Sequence, residues 1–322
     1  MPEPAKDSAA DARASLWGPL GHAMRSLYQY SKRSSVQSLR ELADRLWDTI
    51  GRIWFMVIIP EQFLIHEQSN LRFYWHHLVA ALKTGTLGST DTLTDDEREA
   101  YEAAMKELYE KTASDVEQEK LFEEWLSKAM REKPHVIEML QMDEPYKSLL
   151  YSGLIWAWIS FEVFASDLWE AVVNTATGKV RSRILHSISA ARPSVKIDHI
   201  AKYDYDVRGH LGTIMKDSCD FTSLDGIQKA YKVIFPKSQS ISKALGKREL
   251  LELEASRHLI VHRSGIVDDE FLRRTKLKLK KGDELPVTDK QVRDYCTLTV
   301  EVALILLAAA ESLVGRKSPK NK

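Results

Sequence analysis

The chain has 322 residues, with 46 basic and 46 acidic side chains, 44% hydrophobic residues, 14 Gly, 10 Pro and two Cys. That composition excludes disordered, collagen-like and low-complexity classes and leaves room for a normal core. Zero net charge argues against a protein held to nucleic acid mainly by bulk charge, and Cys219 and Cys296 cannot make a disulfide scaffold.

Length predicts about two domains of roughly 150 residues each. Free thiols fit a reducing compartment, so a cytoplasmic location is expected. Residues 1–15 lack the apolar core of a signal peptide. The apolar stretches 148–161 and 302–310 are shorter than the ~20 residues a spanning helix needs. Both read as buried helices, and no membrane partner is expected.

Taken in order, residues 1–30 mix Pro, Ala, Gly and charge and read as loosely ordered. A helical N-terminal region is expected over 31–143. In it Val36, Leu39, Ala43, Leu46, Ile50, Ile53 and Val57 recur at alternating spacings of three and four. They form one seam of a bundle or partner helix, ended near Pro60. A second helix is predicted over 61–83 and a loop over 84–92. Thr94 and Glu97 then make a capping box. Residues 95–124 hold twelve acids and four bases, which reads as an acidic, solvated helix face. Pro134 and Pro145 mark breaks.

Residues 146–174 form the most apolar helix. Leu150, Leu154, Trp158, Phe161, Ala165, Leu168 and Val172 follow the 3.6 period, with Trp156 and Trp169 adding bulk. Glu162 is embedded in this stretch, and a buried carboxylate needs a partner, an Arg or a His. Residues 175–221 carry little periodicity. A capped helix is predicted over 220–235 with Ser223 as N-cap. Another runs from about Lys247 to Ser264, with Gly265 at the left-handed C′ position. The run Arg273–Lys281 alternates and meets Gly282-Asp283, which predicts a short hairpin or an ordered loop. Thr288 and Gln291 make a capping box for a last helix to about Val314. A basic tail covers 317–322.

The chemistry lies between Leu250 and Phe271. Apolar residues bind this helix to a core, while Glu254, His258 and His262 make a polar stripe four apart. Arg257 and His262 are five apart, separated by roughly 140° of rotation. They do not stack, but both can reach one phosphate in a groove, or a site completed by a second copy. His262 lies in the last turn, where a cation is favoured. Imidazole is the side chain suited to proton transfer near neutral pH. Arg257 supplies a permanent, forked cation for phosphate oxygens. Together they are the minimum for metal-free RNA cleavage.

Arg257-His258-Leu259-Ile260-Val261-His262 on a helix of an all-α domain resembles the R-x4-H motif of the HEPN superfamily. It is most similar to the bacterial HEPN proteins grouped with RNase-LS-like domains. Glu254 before the Arg, Gly265 after the His and the following Val-Asp-Asp-Glu-Phe agree with it. So does an upstream helix carrying Glu162. The resemblance covers 146–316 and is sharp over 254–271. It implies an all-α fold and a metal-independent endoribonuclease that needs no cofactor. It implies a homodimer whose two motifs share one cleft, and 2′,3′-cyclic phosphate and 5′-hydroxyl products. Arg257 and His262 match the catalytic pair, His258 the polar position between them, and Glu162, more weakly, a supporting acid. Ser264 stands where HEPN toxins modified by a partner nucleotidyltransferase carry a Tyr, so that group is a poor guide.

The cations Arg273, Arg274, Lys276, Lys278 and Lys280 lie in a run with six cations in nine residues and no acid. Beside the motif they are candidates for RNA-backbone contacts, weakened by salt; the alternative is a solvated edge. His258 and His262 also have the spacing of a zinc pair, but His-Glu-x-x-His is absent and no second Cys/His cluster accompanies them. Phosphate-binding loops are missing, so no nucleotide cofactor is expected. The alternative function is a non-catalytic HEPN-like module that binds RNA or protein.

Overall fold

The computed structural model describes residues 8–84, 94–114, 143–176, 178–191, 200–205, 207, 209–216 and 218–315. Among them the chain is all-α. The helices are α1 (Ser8–Arg33), α2 (Gln37–Thr84), α3 (Asp95–Ser114), α4 (Asp143–Thr175), α5 (Gly178–Ala191) and α6 (Leu211–Lys216). They continue with α7 (Leu224–Ile234), α8 (Gln239–Leu245), α9 (Arg248–Arg263), α10 (Asp269–Thr275) and α11 (Asp289–Val314). No strand forms among the described residues; one antiparallel bridge joins Ile266 and Glu284. The loop over 84–92 (beyond Thr84), the break at Pro134 and the tail 317–322 lie outside the described residues.

The chain divides into two compact units, one of residues 1–57 with 149–322 and one of residues 58–148. This grouping differs from a boundary between 143 and 146, because the first 57 residues join the C-terminal body. In the smaller unit the predicted capping box is present. Glu97 accepts from the Thr94 backbone N–H at 2.9 Å, and Thr94 Oγ1 accepts from the Glu97 N–H at 3.4 Å.

In the larger unit, residues 18–30 are not loosely ordered. They lie within α1, which kinks at Gly18 before Pro19 and buries Leu20, Ala23, Met24 and Leu27. Their three-and-four spacing makes one apolar stripe. Tyr30 donates to the Leu307 carbonyl at 3.3 Å, and Ser34 donates to Glu311 at 2.8 Å. The partner that orders this segment is therefore α11, over 270 residues away in sequence. A composition reading confined to the segment cannot see it.

The seam of α2 is internal to this unit: Leu39, Ala43, Leu46, Ile50, Ile53 and Val57 are all buried. The helix does not end at Pro60 but continues to Thr84. Proline removes one backbone bond and strains a turn, and the turns on either side carry this helix past it.

α4 forms the centre. Leu150, Leu154, Trp158, Phe161, Ala165, Leu168, Trp169 and Val172 are buried, as their period predicts. Trp169 donates to the Ala230 carbonyl at 3.2 Å, and Tyr231 of α7 donates to the Ala165 carbonyl at 2.8 Å. The helix is not buried all round, however. Trp156 and Val163 are about half exposed and border a groove with Leu42 and Leu46. α4 and α11 are long and apolar enough, by length and composition, to cross a membrane, and half of each apolar window is buried within the fold. Both cysteines are free. Burial pushes the Cys219 thiol up to about 11 and the Cys296 thiol to about 12, which keeps both protonated and unreactive.

Candidate functional site

α9 begins where the sequence predicts, after Lys247, and ends at Arg263. Ser264 and Gly265 both turn left-handed, with φ of 52° and 82°, and the Gly265 N–H returns to the Leu259 carbonyl at 3.3 Å. Gly265 is required twice over. Its φ suits glycine, and an added Cβ would lie 2.5 Å from the Tyr151 hydroxyl. That hydroxyl donates to the Leu285 carbonyl at 2.9 Å, while Gly265 O accepts from the Leu285 N–H at 2.8 Å. The end of α9 is thereby clamped between α4 and the 276–288 segment; of the run 273–281 expected as a hairpin or ordered loop, 273–275 close helix α10 instead and the rest is irregular.

Leu250, Leu253, Leu259 and Ile260 bury the apolar side of α9. On the other side His258 and His262 are exposed, with ring centroids 4.4 Å apart and planes tilted by 45°. Glu254 does not share their stripe. It turns inward, accepting from the Leu224 N–H at 3.2 Å and from Arg274 at 2.6 Å. Leu224 opens α7, so this carboxylate serves a helix N-terminus as well as a guanidinium. Truncating one partner of such a pair strands the other. Glu254→Ala should therefore lower unfolding free energy by about 3 kcal/mol or more in urea titrations, with Arg274→Ala alike.

Arg257 is half-buried. Its Nε is buried and makes no hydrogen bond. Neighbouring arginines differ: Arg248 bonds Glu252 and the Thr275 carbonyl, Arg273 forks onto Glu270, and Arg274 holds Glu254. From α4, Glu162 accepts from the Trp158 indole at 3.0 Å and feels Arg257 through space. The partner demanded by the embedded carboxylate is thus an indole donor, with an arginine as its electrostatic neighbour. Burial nevertheless raises the Glu162 carboxyl above the usual carboxylate range. Arg257 and the Trp158 bond pull it back down, and nearby Asp220 pushes it further up. Asp220 itself is held low, first by the Ser223 hydroxyl and also by Thr222.

A raised folded value means that the folded state binds the proton more tightly. Stability is then lost as pH rises from the ordinary Glu value through the folded one. Glu162→Gln should match the wild type below that window and melt higher at pH 7. Thermal scans across pH 3–8 check it (roughly the carboxylate range and above), and equal melting at every pH would contradict it.

Among the sequence-predicted RNA contacts, Arg273 and Arg274 have their charges matched by Glu270 and Glu254. Lys276, Lys278 and Lys280 are exposed, and Lys276 is the left-handed C-cap of α10. Among the described residues, no group of three or more His, Cys, Asp or Glu gathers to hold a metal. Sequence reasoning missed Trp158 and Asp220. Trp158 stands one helical turn before Glu162, so its spacing was readable. Asp220 lies in a distant segment with no such signal.

No family model, curated protein or solved structure matches this chain. The site is therefore read from its own chemistry. It offers a half-buried guanidinium whose Nε has no acceptor, a nearby carboxylate held by an indole, and two exposed imidazoles on the same helix.

Proposed function

We propose that the chain is a metal-independent endoribonuclease of HEPN type, acting on RNA in the cytoplasm as a homodimer. The observation that carries this reading is the Arg257 Nε, buried without an acceptor on the helix that exposes His258 and His262. A guanidinium without an acceptor on the protein side is costly, and a phosphate oxygen meeting the part of Arg257 that stays exposed offsets that cost.

In this reading His262 takes the proton of a ribose 2′-hydroxyl. The 2′-oxygen attacks phosphorus, and the bond to the 5′-oxygen breaks as that oxygen receives the proton back from the His262 imidazolium. The products are a 2′,3′-cyclic phosphate and a 5′-hydroxyl. Arg257 meets the charge that builds on the phosphorane. Glu162, braced by Trp158, orients the guanidinium, and His258 supports His262. Lys276, Lys278 and Lys280 contact backbone phosphates. Neither the chemistry nor the residues call for a cofactor.

The test incubates purified protein with mixed RNA in EDTA, beside Arg257→Ala and His262→Ala. Cleavage by the wild type alone, leaving cyclic-phosphate ends, supports the enzyme. Equal background from all three leaves the alternative, a non-catalytic module that binds RNA or protein.

A further inference from the structure

We infer that His258 and His262 chelate a divalent transition-metal ion of the zinc class, and that this ion shuts off proton transfer at His262. The regulatory half of this inference rests on the nuclease reading above; the chelate does not.

The two rings come from positions four apart on one face of α9, with centroids 4.4 Å apart. Zinc–nitrogen bonds of about 2.0–2.1 Å in a tetrahedral shell place two ligand nitrogens roughly 3.3 Å from each other. Two exposed imidazoles reach that separation by side-chain rotation, without moving the backbone. Their surroundings leave them available: both are exposed, and among the described residues each ring meets the other and no hydrogen-bond or ion-pair partner. Glu254, one turn earlier, does not complete a third ligand because it is held by Leu224 N and Arg274.

Two protein ligands are one short of the three that hold a resident catalytic zinc. The remaining positions go to water, so occupancy follows the free metal concentration. This is the signature of a reversible inhibitor rather than a cofactor. The chemistry of inhibition is direct. A ring nitrogen bound to the ion has no lone pair with which to accept the 2′-hydroxyl proton. The activity proposed here needs no metal, so zinc lowers it where a metalloenzyme would gain.

The experiment titrates zinc chloride into metal-stripped, full-length protein without RNA, using a chromogenic chelator as competitor. Wild type should bind one more equivalent than either His258→Gln or His262→Gln. Each substitution should weaken that site by about 10-fold or more, the scale on which even outer-shell partners act. His186→Ala, an exposed histidine elsewhere, serves as control and should bind as wild type. A readout that needs no variant is the shift of two histidine ring signals on zinc addition by NMR. Affinity and stoichiometry unchanged in both Gln variants would overturn the chelate. With RNA present, cleavage should fall with occupancy and return with EDTA. Cleavage persisting at full occupancy overturns the inhibition. Zinc uptake at this pair by a protein that never cleaves RNA leaves the chelate standing and overturns the nuclease.

Discussion

Arg257→Ala should reduce RNA cleavage by about 100- to 1000-fold, the effect of removing one preorganised donor from a developing oxyanion. Arg257→Lys should not restore it, because a point charge lacks the planar fork that spans two phosphate oxygens. The fold should be nearly indifferent. The side chain's Nε is buried without an acceptor, and its electrostatic service to Glu162 is outweighed by the desolvation of that carboxylate. Arg257→Met should therefore shift unfolding free energy by less than about 1 kcal/mol, since the lost attraction and the removed unpaired donor offset each other. Single-turnover cleavage and urea titration on the same preparations separate the two effects. A large loss of stability with Arg257→Met would mean that the guanidinium is a structural brace and not a phosphate ligand.

Trp169→Ala should cost about 3–5 kcal/mol of stability, as a fully buried aromatic leaves a cavity that the surroundings only partly fill. The side chain has no solvent exposure, meets Phe221 edge-on at 5.7 Å and donates to the Ala230 carbonyl at 3.2 Å. Its loss also removes that hydrogen bond, although the Ala230 carbonyl lies inside a helix that runs to Ile234. Trp156→Ala, on the same helix, should cost under about 1 kcal/mol, because that ring is half exposed and truncation opens no closed cavity. Equal costs at the two positions would contradict the rotation of α4 described here.

The two tryptophans show where local pattern stops being informative. The 3.6 period placed Leu150, Trp158, Phe161 and Val172 on a buried stripe, and they are buried. The same helix is apolar outside that stripe, so nothing local says that Trp156 and Val163 face outward. Only the neighbours of α4 decide that. The site divides in the same way. Arg257, His258 and His262 share one helix, and their relation follows from its pitch. Glu162 is in another helix, and its approach to Arg257 depends on how α4 and α9 pack. Glu254 matched the histidine stripe by spacing, yet its carboxylate turns to Arg274 and to the start of α7, two partners that spacing on α9 does not encode.

From the sequence alone came the all-α class, the capping boxes at Thr94 and Thr288, the Ser223 cap, the end of α9 at Gly265 and the motif helix itself. Each depends on residues within a turn or two of one another, where backbone geometry and side-chain type suffice. The tertiary structure decided that the first 57 residues join the C-terminal body, that Arg274 pairs with Glu254, and that the Arg257 Nε is buried without an acceptor. Those outcomes turn on which groups meet across long stretches of chain. Burial and charge pairing are properties of the assembled interior, not of any one segment.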